Sequence, residues 1–275
     1  MSEYRYALAS LGAEEIASTS RLLRLVFPHA RHLTPDYLAW MYAANPHGAA
    51  VACNAYRGEE LVGHMAAVPM RSRVEGGETT GMIMQNGAIH PEHRGRKLQS
   101  GISAAMFEEG ARRGYAFCLG VGNIYSTGPL LTRFQMLRPL EARLGVGPLR
   151  RTDDAANASV ERVWDTAAVR WRLANPRRRY SVRGGTIFAP TGWPAISAIL
   201  HDRAELPDEG PRPAGPLRLY LGLDGAIDFG RSRYVTIPNR LRPSPLNLVW
   251  RNLAGGQWLP DPNRFVFHGA DLDAY

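Results

Sequence analysis

The sequence predicts an α/β protein in which helices flank a mixed β-sheet and a second half follows along the chain. Amphipathic helical patterns alternate with short apolar runs of strand length, and this alternation is typical of α/β folds. A hairpin pattern joins two of the early runs, and a polar stretch at Leu149–Ala158 separates the halves. The 275 residues are enough for one large domain or two modest ones.

The chain is predicted to begin with two helices. Residues 13–26 carry apolar side chains at three- and four-residue spacing, which is the period of a helix with one buried face. Thr34 is a capping residue, and Pro35 suits the first helical position because the N–H that it lacks would have no partner there. Asn45–Pro46 ends the second helix, since a residue before proline avoids the helical conformation.

Three strands are predicted next. Val51–Arg57 and Leu61–Arg73 flank a polar turn at Gly58, so they are expected to form a hairpin. A glycine-rich turn at Gly76–Gly77 leads to Met82–Ile89, which is apolar enough for a buried strand.

A strand–loop–helix–strand series follows. His90–Gln99 is a polar loop, and Ser100–Arg113 has the apolar spacing of a helix that Gly114 can end. Tyr115–Val121 is predicted to be a second buried strand, and a short helix is expected from Gly128 to about Arg133.

The second half is predicted to be rich in strands. A proline-rich, exposed loop spans residues 204–216, and a further proline-punctuated segment spans residues 237–245. The predicted strands of this half are Leu217–Leu223, Ala226–Phe229, Leu246–Arg251 and Arg264–Phe267.

A weak internal repeat bears on the relation between the halves. Trp40 and Trp171 each lie in a predicted helix that runs into an Asn-Pro pair, and they are about 130 residues apart, close to one small domain length. A duplicated domain and a chance match both explain the pair. We therefore expect domains at residues 1–148 and 159–275, the second being a degenerate copy of the first or an α+β half.

The charge balance favours anionic partners. Lysine and arginine outnumber aspartate and glutamate by 33 to 25, which gives a formal net charge of +8. A solvated surface is the first explanation of this excess, and a phosphorylated ligand is the second. No zinc-finger spacing or aromatic-interleaved basic ribbon indicates nucleic acid. The two cysteines form no CxxC pair, so a zinc site or disulfide scaffold is not predicted.

Residues 1–20 lack a signal-peptide pattern and no apolar run has membrane-spanning length, so a cytoplasmic protein without a membrane partner is expected.

The segment from Ile83 to Arg113 is predicted to bind a phosphate or pyrophosphate. The first turn of a helix has unpaired backbone N–H groups and the positive end of the helix dipole, so it accepts an anion without any side chain. Arg94, Arg96 and Lys97 add charged donors, and Gly95 lets the backbone approach a ligand closely. The loop matches neither GxxxxGK[ST] nor GxGxxG.

At these residues the sequence resembles the GNAT acyltransferase superfamily. The family pattern is a strand, then V/I-x-P-x-x-R-G-x-G-x-G/A, then a helix, and four residues match it in order and spacing. These are Ile89, Pro91, Arg94 and Gly95. The strand Ala116–Val121, followed by Asn123 and Ser126, resembles the next strand of the family and the N-x-x-S/A that opens its following helix. In element order the resemblance covers about residues 10–145.

The resemblance implies a GNAT-like mixed sheet and an acyl-coenzyme A donor, either acetyl-CoA or a longer acyl-CoA. A small-molecule amine would attack the acyl carbon directly, with the backbone N–H of Ile89 as oxyanion donor. Tyr125 is a candidate acid and Glu92 a candidate base, although a packed loop tyrosine and a solvated loop glutamate are the simpler interpretations and rank above the catalytic ones. The implied donor-binding residues are Ile89, Arg94, Gly95, Arg96, Lys97, Leu98, Gln99, Ser100, Asn123 and Ser126.

Lys97 and Gln99 depart from the family pattern, which has glycine and then glycine or alanine at these positions. Three functions stay open as a result. An acyl-CoA-dependent N-acyltransferase ranks first, an inactive acyl-CoA-binding sensor ranks second because of the two departures, and a nucleic-acid-associated protein ranks last. On the preceding strand, Gln85 and Asn86 are polar and able to contact an acceptor or water. The acceptor, the acyl length and the oligomeric state are not determined, and an oligomer is compatible with the sequence.

Overall fold

A computed structural model describes residues 3–152 and 158–272 and confirms the predicted α/β class. The chain divides into two units. The first comprises Met1–Met70, Thr80–Gly120 and Asn252–Gln257, and the second comprises the remainder. The expected domain division between residues 148 and 159 stays a prediction, and residues 153–157 of that stretch lie outside the described residues.

The helices and strands alternate along the first half of the chain. In order, they are β1 (Arg5–Leu8), α1 (Ala13–Val26), α2 (Pro35–Tyr42), β2 (Val51–Arg57), β3 (Glu60–Val74), β4 (Gly77–Ile89), α3 (Leu98–Arg112), β5 (Phe117–Gly122), α4 (Thr127–Leu131), β6 (Gln135–Pro139) and β7 (Glu141–Val146). The second half continues with β8 (Val160–Arg162), α5 (Thr166–Leu173), β9 (Ser181–Arg183), β10 (Thr186–Pro190), β11 (Ile196–His201), β12 (Leu217–Leu223), β13 (Tyr234–Thr236), β14 (Asn247–Asn252), β15 (Phe267–His268) and α6 (Gly269–Leu272).

In the first unit the strands lie in the order β1-β2-β3-β4-β5. Strands β1, β2 and β3 pair antiparallel, because the polar turn at Gly58 folds the chain back as a hairpin. Strands β4 and β5 pair in parallel. The buried side chains of β2 and β3 form near-continuous apolar runs, which is the pattern of strands covered on both faces.

Two glycines allow α3 to lie close against this sheet. A Cβ atom built on Gly101 would come within 2.3 Å of the ring of Tyr6, and one on Gly63 would lie 2.7 Å from Cδ1 of Ile102 and 3.0 Å from Cδ1 of Ile89. Real Cβ atoms do not approach so closely, so a side chain at either position would force Tyr6 or Ile102 to move. This packing fixes the start of α3 relative to the end of β4.

In the second unit a sheet has the strand order β13-β7-β12-β11-β10-β9, and β15 also pairs with β12. Strands β11 and β12 run parallel, and the other pairs are antiparallel. Strands β6 and β14 form a further antiparallel pair, and β8 pairs with the outer end of β3. A buried apolar cluster lies beneath the sheet and includes Val169, Val182, Ile187, Ala198 and Leu200.

Three sequence predictions about elements need correction. Ala226–Phe229 is not a strand, because the carboxylate of Asp224 accepts the N–H of Ala226 and holds a turn. Helix α3 begins at Leu98 rather than at Ser100. The predicted strand Arg264–Phe267 is reduced to β15, with Phe265 making only an isolated bridge. Among the described residues, no helix combines the length and the apolarity that crossing a bilayer requires.

Candidate active site

The end of β4 is separated from β5. The two strands pair at only two positions in the described chain, and the second is Ile83–Leu119, six residues before β4 ends at Ile89. The N–H of His90 donates to the carbonyl of Val62 on β3 at 2.8 Å. Because successive N–H groups of an extended strand point in opposite directions, the N–H of Ile89 points to the β5 side. It is therefore directed at the open part of the sheet.

Asn86 bends β4 within this open part. Its φ is +52°, a left-handed conformation that is uncommon outside glycine and that asparagine tolerates better than most residues. A left-handed residue inside a strand interrupts the ladder and re-aims the neighbouring groups. The side chain of Asn86 is half-buried, and its Nδ2 donates to the hydroxyl of Tyr42 at 2.9 Å.

A chain of hydrogen bonds continues from Asn86 through the interior of the first unit. The hydroxyl of Tyr42 lies 3.3 Å from Nε2 of His64, and Nδ1 of His64 lies 2.7 Å from Oδ1 of Asn54. Nδ2 of Asn54 then donates to Oε1 of Glu15 at 2.8 Å. Tyr42, His64 and Asn54 are all buried, so water does not compete for these bonds.

The charge of Glu15 sets the direction of every hydrogen bond between Glu15 and Asn86. An ionised carboxylate only accepts, so the NH₂ group of Asn54 faces it and the amide oxygen of Asn54 faces His64. Nδ1 of a neutral His64 therefore carries the proton, and its Nε2 accepts from the hydroxyl of Tyr42. The oxygen of Tyr42 in turn accepts from Nδ2 of Asn86. The amide oxygen of Asn86 is thereby turned away from Tyr42.

The pKa shifts agree with this direction. Burial alone would raise the pKa of Glu15, but hydrogen bonds from Ser10, Tyr56 and Asn54 outweigh it and leave the pKa below its ordinary value. Burial lowers the pKa of His64 to about 4, so the imidazole is neutral at pH 7. Burial also raises the pKa of the Tyr42 hydroxyl, which stays protonated.

The turn before α3 is basic and exposed. Residues Arg94 to Lys97 all face solvent, with φ of +76° at Gly95 and +58° at Lys97. In the described part of the chain, no acceptor takes the backbone N–H groups of Gly95, Arg96 or Lys97. The first turn of α3 holds no acidic residue, so no carboxylate competes for the positive end of its dipole. These groups can bind an anion through backbone donors.

The other predicted residues of this segment differ in their surroundings. Leu98 is buried and anchors the helix, whereas Gln99 is exposed. The N–H of Ser100 already donates to the carbonyl of Lys97 at 3.0 Å. Nη1 of Arg96 lies 3.4 Å from the carboxylate of Glu3, a long and exposed contact that a phosphate would readily replace.

Glu92, the candidate base, has an exposed side chain, and its backbone N–H donates to Nδ1 of His90 at 3.3 Å. An open pocket of about 500 Å³ lies in the same unit, and His90 is part of its wall. The remaining lining comes from α1 and from the β2–β3 hairpin. It includes one cation, Arg21, and four carboxylates, those of Glu14, Glu15, Glu59 and Glu60. Its negative lining suits a cationic ligand.

Asn123, Tyr125 and Ser126 belong to the second unit and form a compact turn among themselves. Oδ1 of Asn123 accepts from the N–H groups of Tyr125 and Ser126, at 2.9 and 3.0 Å, and from the hydroxyl of Ser126 at 3.1 Å. Tyr125 is 87% exposed, so the structure does not show it packed as a loop tyrosine. The roles of all three residues stay predictions.

The buried chain from Asn54 to Tyr42 was not predicted from the sequence. The sequence does contain an indication of these hydrogen bonds. Asn54 and His64 are polar residues inside apolar strand runs, and the hairpin register sets them opposite each other. Polar residues facing each other on neighbouring strands interact, and in a core they must do so.

The open end of β4, the basic turn and the start of α3 together form a site that suits an anionic ligand. The family follows from the sequence: residues 8–134 match the family described as Acetyltransferase (GNAT) domain. This match confirms, over residues 8–134, the resemblance to the GNAT superfamily found in the Ile89–Gly95 segment. A domain of this family supports an acyltransferase. No curated protein matches the sequence significantly.

Solved structures of acyltransferases have a similar fold. A probable N-acyltransferase from Enterococcus faecalis is 11% identical with a TM-score of 0.59, and the alignment covers 92% of this chain and 73% of that one. N-myristoyltransferase of Saccharomyces cerevisiae, with bound myristoyl-CoA and inhibitors, is 9% identical with a TM-score of 0.59, covering 92% and 80%. A GCN5-related N-acetyltransferase from Anabaena variabilis is 11% identical with a TM-score of 0.61, covering 90% and 73%. At such identities the likeness concerns the fold alone.

Proposed function

We propose that the protein transfers an acyl group from acyl-coenzyme A to the amine of a small molecule by direct attack. One observation carries the proposal: in a GNAT domain, the N–H of Ile89 faces the open side of β4, and the described residues offer no acceptor to the N–H groups of residues 95–97 before α3. These two sets of donors suit the thioester oxygen and the pyrophosphate of one donor molecule.

The reaction needs few protein groups. The neutral amine forms a C–N bond to the acyl carbon, and the N–H of Ile89 stabilises the negative charge that develops on the thioester oxygen. The C–S bond then breaks, and the coenzyme A thiolate takes a proton. The proton lost by the amine goes to a base, for which Glu92 is our candidate, directly or through water. Tyr125 is our candidate for the acid that protonates the thiolate.

Asn86 would orient the acceptor amine. Its Nδ2 is held by Tyr42, so its amide oxygen is turned outward on the same strand that ends at Ile89. An amide oxygen accepts an N–H of the incoming amine and aims the nitrogen lone pair at the acyl carbon. The acidic pocket beside His90 supports an acceptor that is cationic before it loses its proton. The myristoyl-CoA bound by the yeast neighbour supports including long acyl donors in the test.

The experiment is release of free thiol from acetyl-, octanoyl- and myristoyl-CoA in the presence of a panel of amines. Turnover with at least one donor and amine is expected. Arg94→Ala should raise the KM for acyl-CoA about 5- to 10-fold, because one charge-assisted phosphate contact is lost. Arg24→Ala is the matched control, since Arg24 is exposed in the last turn of α1, and its KM should equal that of the wild type.

A non-catalytic acyl-CoA sensor is the second candidate, and the side chains of Lys97 and Gln99 favour it. Both are exposed at the positions where the family has small residues. Thermal stabilisation by acyl-CoA without turnover for any amine would establish the sensor and refute the enzyme. Absence of stabilisation by every coenzyme A ester would refute both.

A further inference from the structure

A second polar cluster lies in the second unit, apart from the residues of the active site. His201 ends β11 and His268 ends β15, and the two Nδ1 atoms are 2.9 Å apart. Asp202 follows His201 in the chain. The candidate ligand atoms of these three residues all lie within 4.8 Å of one another. Both histidines are buried.

Asp224 determines which nitrogen of His268 faces the cluster. Oδ2 of Asp224 lies 3.1 Å from Nε2 of His268, and a carboxylate accepts, so Nε2 carries the proton. Nδ1 of a neutral His268 then carries a lone pair, and this lone pair is directed at His201. A carboxylate on the far N–H of a histidine is the arrangement that orients metal-binding imidazoles and fixes their tautomer.

Asp202 contributes an unused acceptor. Its side chain is 8% exposed, and its Oδ1 is buried with no hydrogen-bond partner among the described residues. Its Oδ2 pairs with Arg151 at 2.6 Å, and Arg151 also pairs with Asp224. Two buried carboxylates therefore share one guanidinium. This leaves one negative charge that Arg151 does not balance and an unsatisfied oxygen on the residue that follows His201. A buried charge without a counter-ion is unfavourable.

We infer that Nδ1 of His201, Nδ1 of His268 and the carboxylate of Asp202 bind a divalent transition-metal ion, for which zinc is the best match. Two imidazoles and one carboxylate are a common zinc donor set, with water as the fourth ligand. Tetrahedral bonds of about 2.0–2.1 Å separate ligand atoms by about 3.3 Å. The two Nδ1 atoms, 2.9 Å apart, would open by a few tenths of an ångström, and the carboxylate of Asp202, within 4.8 Å of them, would close toward the same separation.

The position of the site indicates that a bound metal would stabilise the second unit. The ligands come from β11 and from β15, which leads directly into α6, and the backbone N–H of His268 donates to the carboxylate of Asp271 in that helix at 2.7 Å. The metal would join the last strand and helix to the centre of the sheet. Binding to the folded chain alone stabilises it, so removal of the metal should lower the melting temperature.

The test uses the full chain without a histidine tag, first treated with EDTA and then titrated with Co²⁺. The expected result is one equivalent bound with visible absorption of a tetrahedral complex, which Zn²⁺ displaces. The melting temperature should rise by about 5–10 °C with excess Zn²⁺. Negligible Co²⁺ binding together with an unchanged melting temperature would overturn the inference and leave an ordinary hydrogen bond between the histidines.

Variants distinguish this site from other metal contacts. His268→Gln should abolish the Co²⁺ absorption, and His29→Gln, at an exposed position of the first unit, should leave it unchanged. Asp202→Asn is the second variant, because it keeps the side-chain shape if the histidine variant does not fold. It should weaken Co²⁺ binding at least 10-fold, and wild-type binding in Asp202→Asn would contradict the proposed ligand set.

Discussion

The buried imidazole of His64 should make folding stability depend on pH. Burial lowers the pKa of His64 in the folded chain to about 4, below its ordinary value of 6.5. Between these two pH values the unfolded chain binds a proton that the folded chain does not. Stability is therefore complete above pH 6.5 and decreases as the pH falls toward 4.

The magnitude follows from the two pKa values. Each pH unit inside the window changes the free energy of unfolding by about 1.4 kcal/mol. Integration from pH 7 to pH 5 gives a loss of about 2 kcal/mol from His64 alone. Other groups that titrate in this range add to the total, so the contribution of His64 must be measured as a difference between proteins.

The assay is urea unfolding at pH 7 and pH 5 of the wild type, His64→Gln and His29→Gln. Glutamine keeps a hydrogen-bonding side chain at position 64 but does not titrate. The wild type should lose about 2 kcal/mol more than His64→Gln between the two pH values, whereas His29→Gln should behave as the wild type. Equal losses in the wild type and His64→Gln would refute the reasoning, because they would mean that His64 binds its proton equally in both states.

Three further predictions concern the active site. Lys97→Gly should raise the free energy of unfolding by about 0.5–1 kcal/mol in urea titrations, because glycine adopts the left-handed conformation without strain. Gly63→Ala should lower the free energy of unfolding by about 1–3 kcal/mol, since the new Cβ would lie 2.7 Å from an isoleucine of α3. Gly128→Ala is the control, because no atom lies within 4 Å of the Cβ that it adds. Tyr42→Phe should cost about 1–3 kcal/mol by leaving buried partners unpaired, and in steady-state kinetics it should raise the KM for the amine more than the KM for acyl-CoA, because Asn86 loses its anchor.

The first half of the fold could be predicted because its patterns are long and regular. Helix α1 was predicted at residues 13–26 and has these bounds in the structure. Strand β2 was predicted at Val51–Arg57 and also has its predicted bounds. Strand β1 was missed because Arg5–Leu8 is short and mostly exposed, so it shows no apolar alternation. Strands β9 to β11 were missed for a related reason: they are three to six residues long, and turns separate them.

The site was only partly predictable. The loop from Ile89 to Gln99 could be identified because its residues are contiguous and match a family pattern. The chain through Asn54, His64 and Tyr42 depends on hairpin register and on the packing of α2, which bring together residues distant in sequence. No local pattern specifies such contacts.

Asn86 meets two requirements in one residue, a left-handed backbone and an amide side chain held by Tyr42. Glycine would keep the bend of the strand and lose the amide, and glutamine would keep the amide but strain the bend. The amino acid at this position in related sequences therefore becomes a diagnostic marker. Asparagine would identify relatives that orient their acceptor in the way proposed for this protein, and glycine would identify relatives that keep the shape of the strand but hold their acceptor by other means.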